Sequence, residues 1–166
     1  PAVITIGQIS GGRASNVIAD KVRLTGTVRS LHADTHTMLP GWIEKIVTQV
    51  CELHGATCSV NYTRRCTSVM NDEKLTHLVA DCATEALGHD RIQWIADASM
   101  GAEDFANYTD LAPGTMFRLG VGFPDRQNHP LHHSQFEVDK TALTAGVTTM
   151  AYAAYRYWQT VKNQPK

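Results

Sequence analysis

A chain of 166 residues has room for one domain or two small ones. Its 43% hydrophobic and 19% charged content is that of an ordinary globular protein, and a net charge of −1 leaves no electrostatic case for nucleic acid or an anionic membrane surface. No apolar run approaches the roughly 18 residues that a membrane-spanning helix needs, and no charged-then-apolar leader follows Pro1, so neither a membrane anchor nor a signal peptide is expected.

In chain order, Ala2 to Gly7 is rich in β-branched residues and stops at glycine, which predicts a strand. Ile9 to Asn16 is a loop broken by Gly11 and Gly12. In KVRLTGTVRS, Val22, Leu24, Gly26 and Val28 alternate with Arg23, Thr25, Thr27 and Arg29, a strand with one solvated or functional face. Ile43, Ile46, Val47, Val50 and Cys51 recur at helical spacing, with Gly55 as the stop. Asp34 could cap that helix, while Pro40 fits its first turn better than its interior. Thr57 to Thr63 alternates again and predicts a third strand. Strand, strand, helix, strand is most of a small α+β sandwich. The leading strand and helix are missing, and there is no initiating Met, so the chain is expected to begin mid-domain.

A second unit follows. Asn71 is placed to cap a helix whose apolar face runs Leu75, Leu78, Val79, Cys82, Ala86 and Leu87 to Gly88. Ile92 to Ala96 reads as a short strand, Ser99 to Tyr108 as a glycine-containing loop entering a short helix, and Gly114 to Gly122 as a buried strand. The last helix spans roughly Lys140 to Val161, with Leu143, Val147, Met150, Ala151, Ala154 and Trp158 inward, and a polar tail, Lys162 to Lys166, closes the chain. The whole is α/β: an α+β portion, then the closing part of an α/β domain. No two of Cys51, Cys58, Cys66 and Cys82 have zinc-knuckle spacing. Reduced core thiols in a cytosolic protein are expected.

The chemistry gathers in NHPLHHSQFEVD, Asn128 to Asp139, where His129, His132 and His133 fall within five residues. Neutral imidazole suits zinc, manganese, cobalt and nickel. Adjacent His132 and His133 point apart, so at most one joins a given site. A catalytic zinc needs about three protein ligands. Glu103 or Asp104 could add one, but no further ligand pattern completes a set.

Four segments in register, SGGRASNVIAD, LTGTVRS, SMGAEDFANY and PLHHSQFEVD, together resemble the metal-dependent amidohydrolases of the aminoacylase and carboxypeptidase clan. The nearest branch is the hippurate and auxin-conjugate hydrolase type, and the likeness runs from Ala2 to about Tyr157. It implies a catalytic domain with an inserted lid or dimerisation domain. Residues 1–67 would be the later part of the lid, and 68–166 the closing part of the catalytic domain. It also implies a divalent metal pair (Zn, Mn, Co or Ni), with His132 as the last ligand and the only one present here. The other ligands and the glutamate general base would lie outside this chain, which is then expected to be inactive alone.

The resemblance assigns Asn16 and Arg29 to the substrate carboxylate, which a guanidinium fork and an amide would bind. Ser99 to Glu103 would line the pocket, with backbone amides near Met100 and Gly101 on a substrate oxygen. Glu103 is equally readable as a capping acid. The implied substrate is an N-acyl amino acid or short peptide, and the implied assembly a cytoplasmic homodimer joined through the lid. The rival reading is a non-catalytic dimerisation or ligand-binding module derived from that family. A third is a small metalloenzyme using His129, His132 and Glu103.

Overall fold

The β-branched opening run and the alternating run after it pair with each other. In the computed structural model, which describes residues 1–163, Ala2–Gly11 forms β1 and Val22–Ser30 forms β2, joined antiparallel with Ile4 opposite Val28 and Ile9 opposite Leu24. Residues 164–166 of the polar tail lie outside the described residues. Gly7, read from sequence as the end of the strand, is a bulge between Ile6 and Gln8, and the strand continues beyond it. Gly26 is required by close approach: a Cβ there would run into the Thr5 carbonyl oxygen. Gly26→Ala is therefore expected to cost about 1–3 kcal/mol as the strands shift to make room. Urea unfolding of the variant against the wild type measures it.

Helix α1 spans Ala33–Leu53. Neither proposed start is its cap. The N-cap position is His32, without a side-chain bond, Asp34 sits in the first turn where its charge favours the dipole, and Pro40 lies inside the helix. Proline there removes one ladder donor and crowds the carbonyl of His36 four residues back, so packing must hold the helix through it. Leu39 is buried and Ile43, Val47 and Cys51 are half-buried, but Ile46 and Val50 are exposed. Together with residues 97–107, the segment up to Val69 makes one compact unit.

The second unit is Met70–Ala96 with Tyr108–Lys166. Helix α2 covers Glu73–Leu87. Its cap is Asp72, not Asn71: Asp72 Oδ1 accepts the Leu75 amide at 2.9 Å. Asn71 instead pairs both ways with the Met116 backbone, donating to its oxygen and accepting from its nitrogen, each at 2.9 Å. That bond, with Asp72 N to the Gly114 oxygen at 2.8 Å, ties the 114–122 segment to the start of α2. A short 3-10 turn, His89–Arg91, follows α2, α3 covers Ala106–Thr109, and α4 covers Thr141–Lys162. No helix among the described residues is long and apolar enough to cross a membrane.

Helix α4 turns out the opposite way from the sequence expectation. Gly146, Thr149 and Ala153 are buried, α2 being its packing neighbour, while Leu143, Val147, Met150 and Trp158 are more than half exposed. Both stripes recur at helical spacing. The small-residue stripe wins against α2 because it lets the helices approach closely, and bulk alone does not reveal which stripe a neighbour selects. At Gly146 a Cβ would lie 2.9 Å from Leu119.

Polar groups also fasten α2 to α4. The Tyr152 hydroxyl donates to Glu85 at 2.5 Å, and Arg156 Nη1 reaches both Glu85 oxygens at 3.0 and 2.8 Å. Tyr152 first, then Arg156, hold the Glu85 carboxyl below its ordinary range. A depressed folded-state pKa stabilises above the unfolded value, about 4.3 for Glu, and that gain is lost as pH falls through the folded value. Glu85→Gln should therefore melt below the wild type at pH 7, and the gap should close in acid. Melting temperatures from pH 7 down to about pH 2 check this.

Three expected strands, Thr57–Thr63, Ile92–Ala96 and Gly114–Gly122, are not strands: β1 and β2 are the strands among the described residues. A strand exists only with a ladder partner, and these runs have none there. The four cysteines are unbonded here, and of the expected core thiols only Cys82 is buried, while Cys58 is exposed, its thiol 3.8 Å from Thr48 Oγ1. Burial, first, pushes the Cys82 thiol up.

Candidate metal and substrate sites

The candidate substrate residues Arg29, Met100, Gly101, Glu103 and Asn16 belong to the first unit. Arg29 is near the end of β2, on the face that carries Thr25 and Thr27, so its side chain stands off the hairpin. Its Nη1 donates to the Met100 carbonyl oxygen at 2.7 Å, across 71 positions of sequence. It has no other partner among the described residues, which leaves most of the guanidinium fork open. The structure thus brings Arg29 and the SMGAEDF loop together. Asn16 lies exposed in the loop between β1 and β2.

Within the SMGAEDF loop, the Gly101 amide donates to Ser99 Oγ at 3.1 Å. Glu103 Oε1 accepts the Phe105 amide at 3.3 Å, just ahead of α3, which is the capping arrangement. Its second oxygen makes no hydrogen bond among the described residues.

His132 belongs to the second unit, on the loop between Val121 and Asp139. The Asp139 amide donates to the Val121 oxygen at 2.8 Å and closes the loop at its base. Asp139 Oδ1 also accepts the Thr141 amide at 2.9 Å and hydroxyl at 2.7 Å, fixing the entry to α4. At the tip, the His133 amide donates to the Pro130 oxygen at 3.2 Å and the Phe136 amide to the His133 oxygen at 3.0 Å.

The three histidines divide by role. His129 and His133 stack, centroids 4.4 Å apart and planes 8° apart. His133 Nδ1 accepts the Gln135 amide at 3.1 Å, so its ring is committed to the loop. His132 is the residue left over. Its imidazole is exposed, makes no hydrogen bond among the described residues, and sits at φ 68°, the only positive φ of any non-glycine residue there. The left-handed region costs a side-chain-bearing residue about 1–2 kcal/mol, and such strain concentrates at functional sites.

A free imidazole on a braced loop fits the role of one metal ligand. Among the described residues no group of three His, Cys, Asp or Glu could hold an ion. Sequence reasoning passed over the braces of this loop, Asn128, Arg126 and Glu137. Asn128 and Glu137 stand in the histidine-rich stretch itself, but no spacing rule pairs Arg126 with Glu137.

Comparison with known proteins now decides the family. The model of peptidase family M20/M25/M40 matches residues 4–156. The chain belongs to that family. The resemblance carried by the four quoted segments is borne out. Among curated relatives of this M20 chain, the Synechocystis sp. protein named "Probable hydrolase sll0100" is 57% identical over 97% of the chain and 41% of that protein. The N-acetyldiaminopimelate deacetylase of Geobacillus sp. is 33% identical over 95% of the chain and 40% of its own length. Among solved structures, Bacillus subtilis YXEP, described as a dinuclear metal binding peptidase from the M20 family, superposes with a TM-score of 0.82 at 27% identity, over 96% of this chain and 42% of that one. The chain thus spans about two fifths of the length of the M20 relatives it matches.

Proposed function

We propose that this chain is the later part of a metal-dependent amidohydrolase that cleaves the amide bond of N-acyl amino acids or short peptides. The observation that carries the reading is His132: an imidazole with no hydrogen bond among the described residues, held on left-handed backbone at the tip of a braced loop, and the residue to which the family resemblance assigns the last metal ligand. The deacetylase relative, named for an N-acetylated amino acid, supports the substrate class.

In this reading residues 1–67 are lid and 68–166 are catalytic domain, and the remaining ligands and the general base come from outside the chain. A pair of divalent ions (Zn, Mn, Co or Ni), when bound, polarises the amide carbonyl and activates water. The residues present do the rest. His132 supplies a neutral nitrogen donor. Arg29 and Asn16 hold the substrate carboxylate and so select acyl amino acids over plain amides. Met100 carries the carbonyl that orients Arg29, the Gly101 amide would reach a substrate oxygen by exchanging its bond to Ser99 Oγ, and Glu103 lines the pocket while capping the turn into α3. The complete enzyme works as a cytoplasmic homodimer joined through the lid, and the chain by itself is inactive.

The second reading, a non-catalytic dimerisation or ligand-binding module, is favoured by one observation: no group of three ligands lies among the described residues. Metal content and hydrolysis of an N-acetyl amino acid, measured on this chain and on the full-length protein, separate the two. Amidohydrolase activity and about two metals per subunit in the full-length protein alone support the first reading. A full-length protein with neither sinks it.

A further inference from the structure

The loop that carries His132 is fastened by more than its ends. Asn128 turns its carboxamide back on Phe123, accepting the Phe123 amide at 2.7 Å and donating to the Phe123 oxygen at 2.9 Å. This is the pairing a neighbouring strand would offer, made here by one side chain across five residues. Gly122 leaves it room, since a Cβ there would lie 3.2 Å from the carboxamide. Arg126 then crosses the loop to Glu137 at 2.6 Å, with its guanidinium carbon 3.5 Å from the centre of the Phe123 ring. The stacked His129 and His133 rings form a further tie at the tip.

An exposed ion pair of this kind contributes little to global stability. Phe123, Arg126, Asn128, His129, Gln135 and Glu137 line one open depression of about 310 Å³, and the ties across it are the polar and ring contacts just named. These ties therefore set the shape of the loop. The group most in need of that shape is His132, whose backbone conformation is disfavoured unless its surroundings enforce it.

We propose that Asn128, with the Arg126–Glu137 pair behind it, positions His132 for metal binding. The proposal rests on His132 being a ligand. The role assigned to these side chains is support of the loop, not contact with the ion. They hold the loop so that the imidazole meets the ion without first paying to order the chain, as outer partners of metal ligands do.

The test uses the metal-stripped full-length protein, titrated with Zn²⁺ by calorimetry. His132→Ala identifies the binding step that depends on His132. Asn128→Ala should weaken that same step by about 10- to 100-fold. Glu137→Gln, which keeps the shape and removes the charge, should weaken it by less. Asn128→Asp, which keeps the acceptor for the Phe123 amide and loses the donor, should restore part of the affinity. The double variant Asn128→Ala with His132→Ala should be no worse than His132→Ala alone. A role confined to stability would lower the melting temperature and leave the Zn²⁺ dissociation constant unchanged.

If His132→Ala abolishes a step that folded Asn128→Ala and Glu137→Gln both bind within twofold of wild type, the positioning role is overturned and the ligand assignment stands. If His132→Ala binds Zn²⁺ like wild type, the ligand assignment falls, and this proposal with it.

Discussion

His132→Ala in the full-length protein is expected to lose metal affinity by roughly 100-fold or more, exceeding the 10- to 100-fold typical of an outer partner, and to lose most hydrolysis with it. The expectation comes from the different engagement of three neighbouring imidazoles. His133 gives its Nδ1 to the Gln135 amide and its face to His129. A ring so placed can be removed at some cost to the loop and none to the donor set, so His133→Ala and His129→Ala should retain measurable metal at saturating Zn²⁺. His132 makes no such bond among the described residues, and its exposed ring has the freedom a ligand needs. Metal content by elemental analysis after gel filtration, alongside the rate on an N-acetyl amino acid, reads the outcome. Full metal and full rate in His132→Ala would show that the ligand is another residue. A glycine control separates chemistry from backbone. Glycine adopts φ 68° freely, so His132→Gly should fold about 1 kcal/mol more stably than His132→Ala while binding metal no better.

Much of this was legible from residue order, and the exceptions share a cause. The presence and extent of helices α2 and α4 follow from their spacing, and β2 from its alternation. The four segments that carry the family likeness are short runs of local sequence, so no tertiary knowledge was needed to see them. Strand readings were borne out only where a ladder partner lies among the described residues: β1 and β2 found each other, whereas 57–63 and 114–122 carry strand character without a ladder there. The exposed stripe of α4 failed differently. Leu143, Val147, Met150 and Trp158 have the periodicity of a buried face, but α2 took the small-residue face instead. At the site, His132 was visible as a residue type in a pattern, while its left-handed backbone and the ties from Asn128, Arg126 and Glu137 were not. Those depend on which atoms a loop brings together, and no local spacing encodes that.

Arg29→Ala is expected to lower kcat/KM for carboxylate-bearing substrates by roughly 10- to 100-fold, the equivalent of losing one charge-assisted hydrogen-bonded pair worth about 1.5–3 kcal/mol. Arg29 has two possible duties, and they predict different things. Its Nη1 bond to the Met100 oxygen could serve only to pin the SMGAEDF loop. In that case the variant would lose the same factor on every substrate, since a displaced loop is indifferent to the substrate's charge. If the remaining guanidinium edge takes the carboxylate, the loss is confined to substrates that have one. Wild type and variant should then differ little on the carboxamide analogue of the same N-acyl amino acid. Arg29→Lys sharpens the contrast. Lysine keeps the charge but not the planar fork, so it should recover only part of the carboxylate discrimination. An unchanged kcat/KM in Arg29→Ala on the carboxylate substrate would remove the clamp altogether. An equal loss on both substrates would reassign Arg29 from substrate recognition to the support of the Met100 loop.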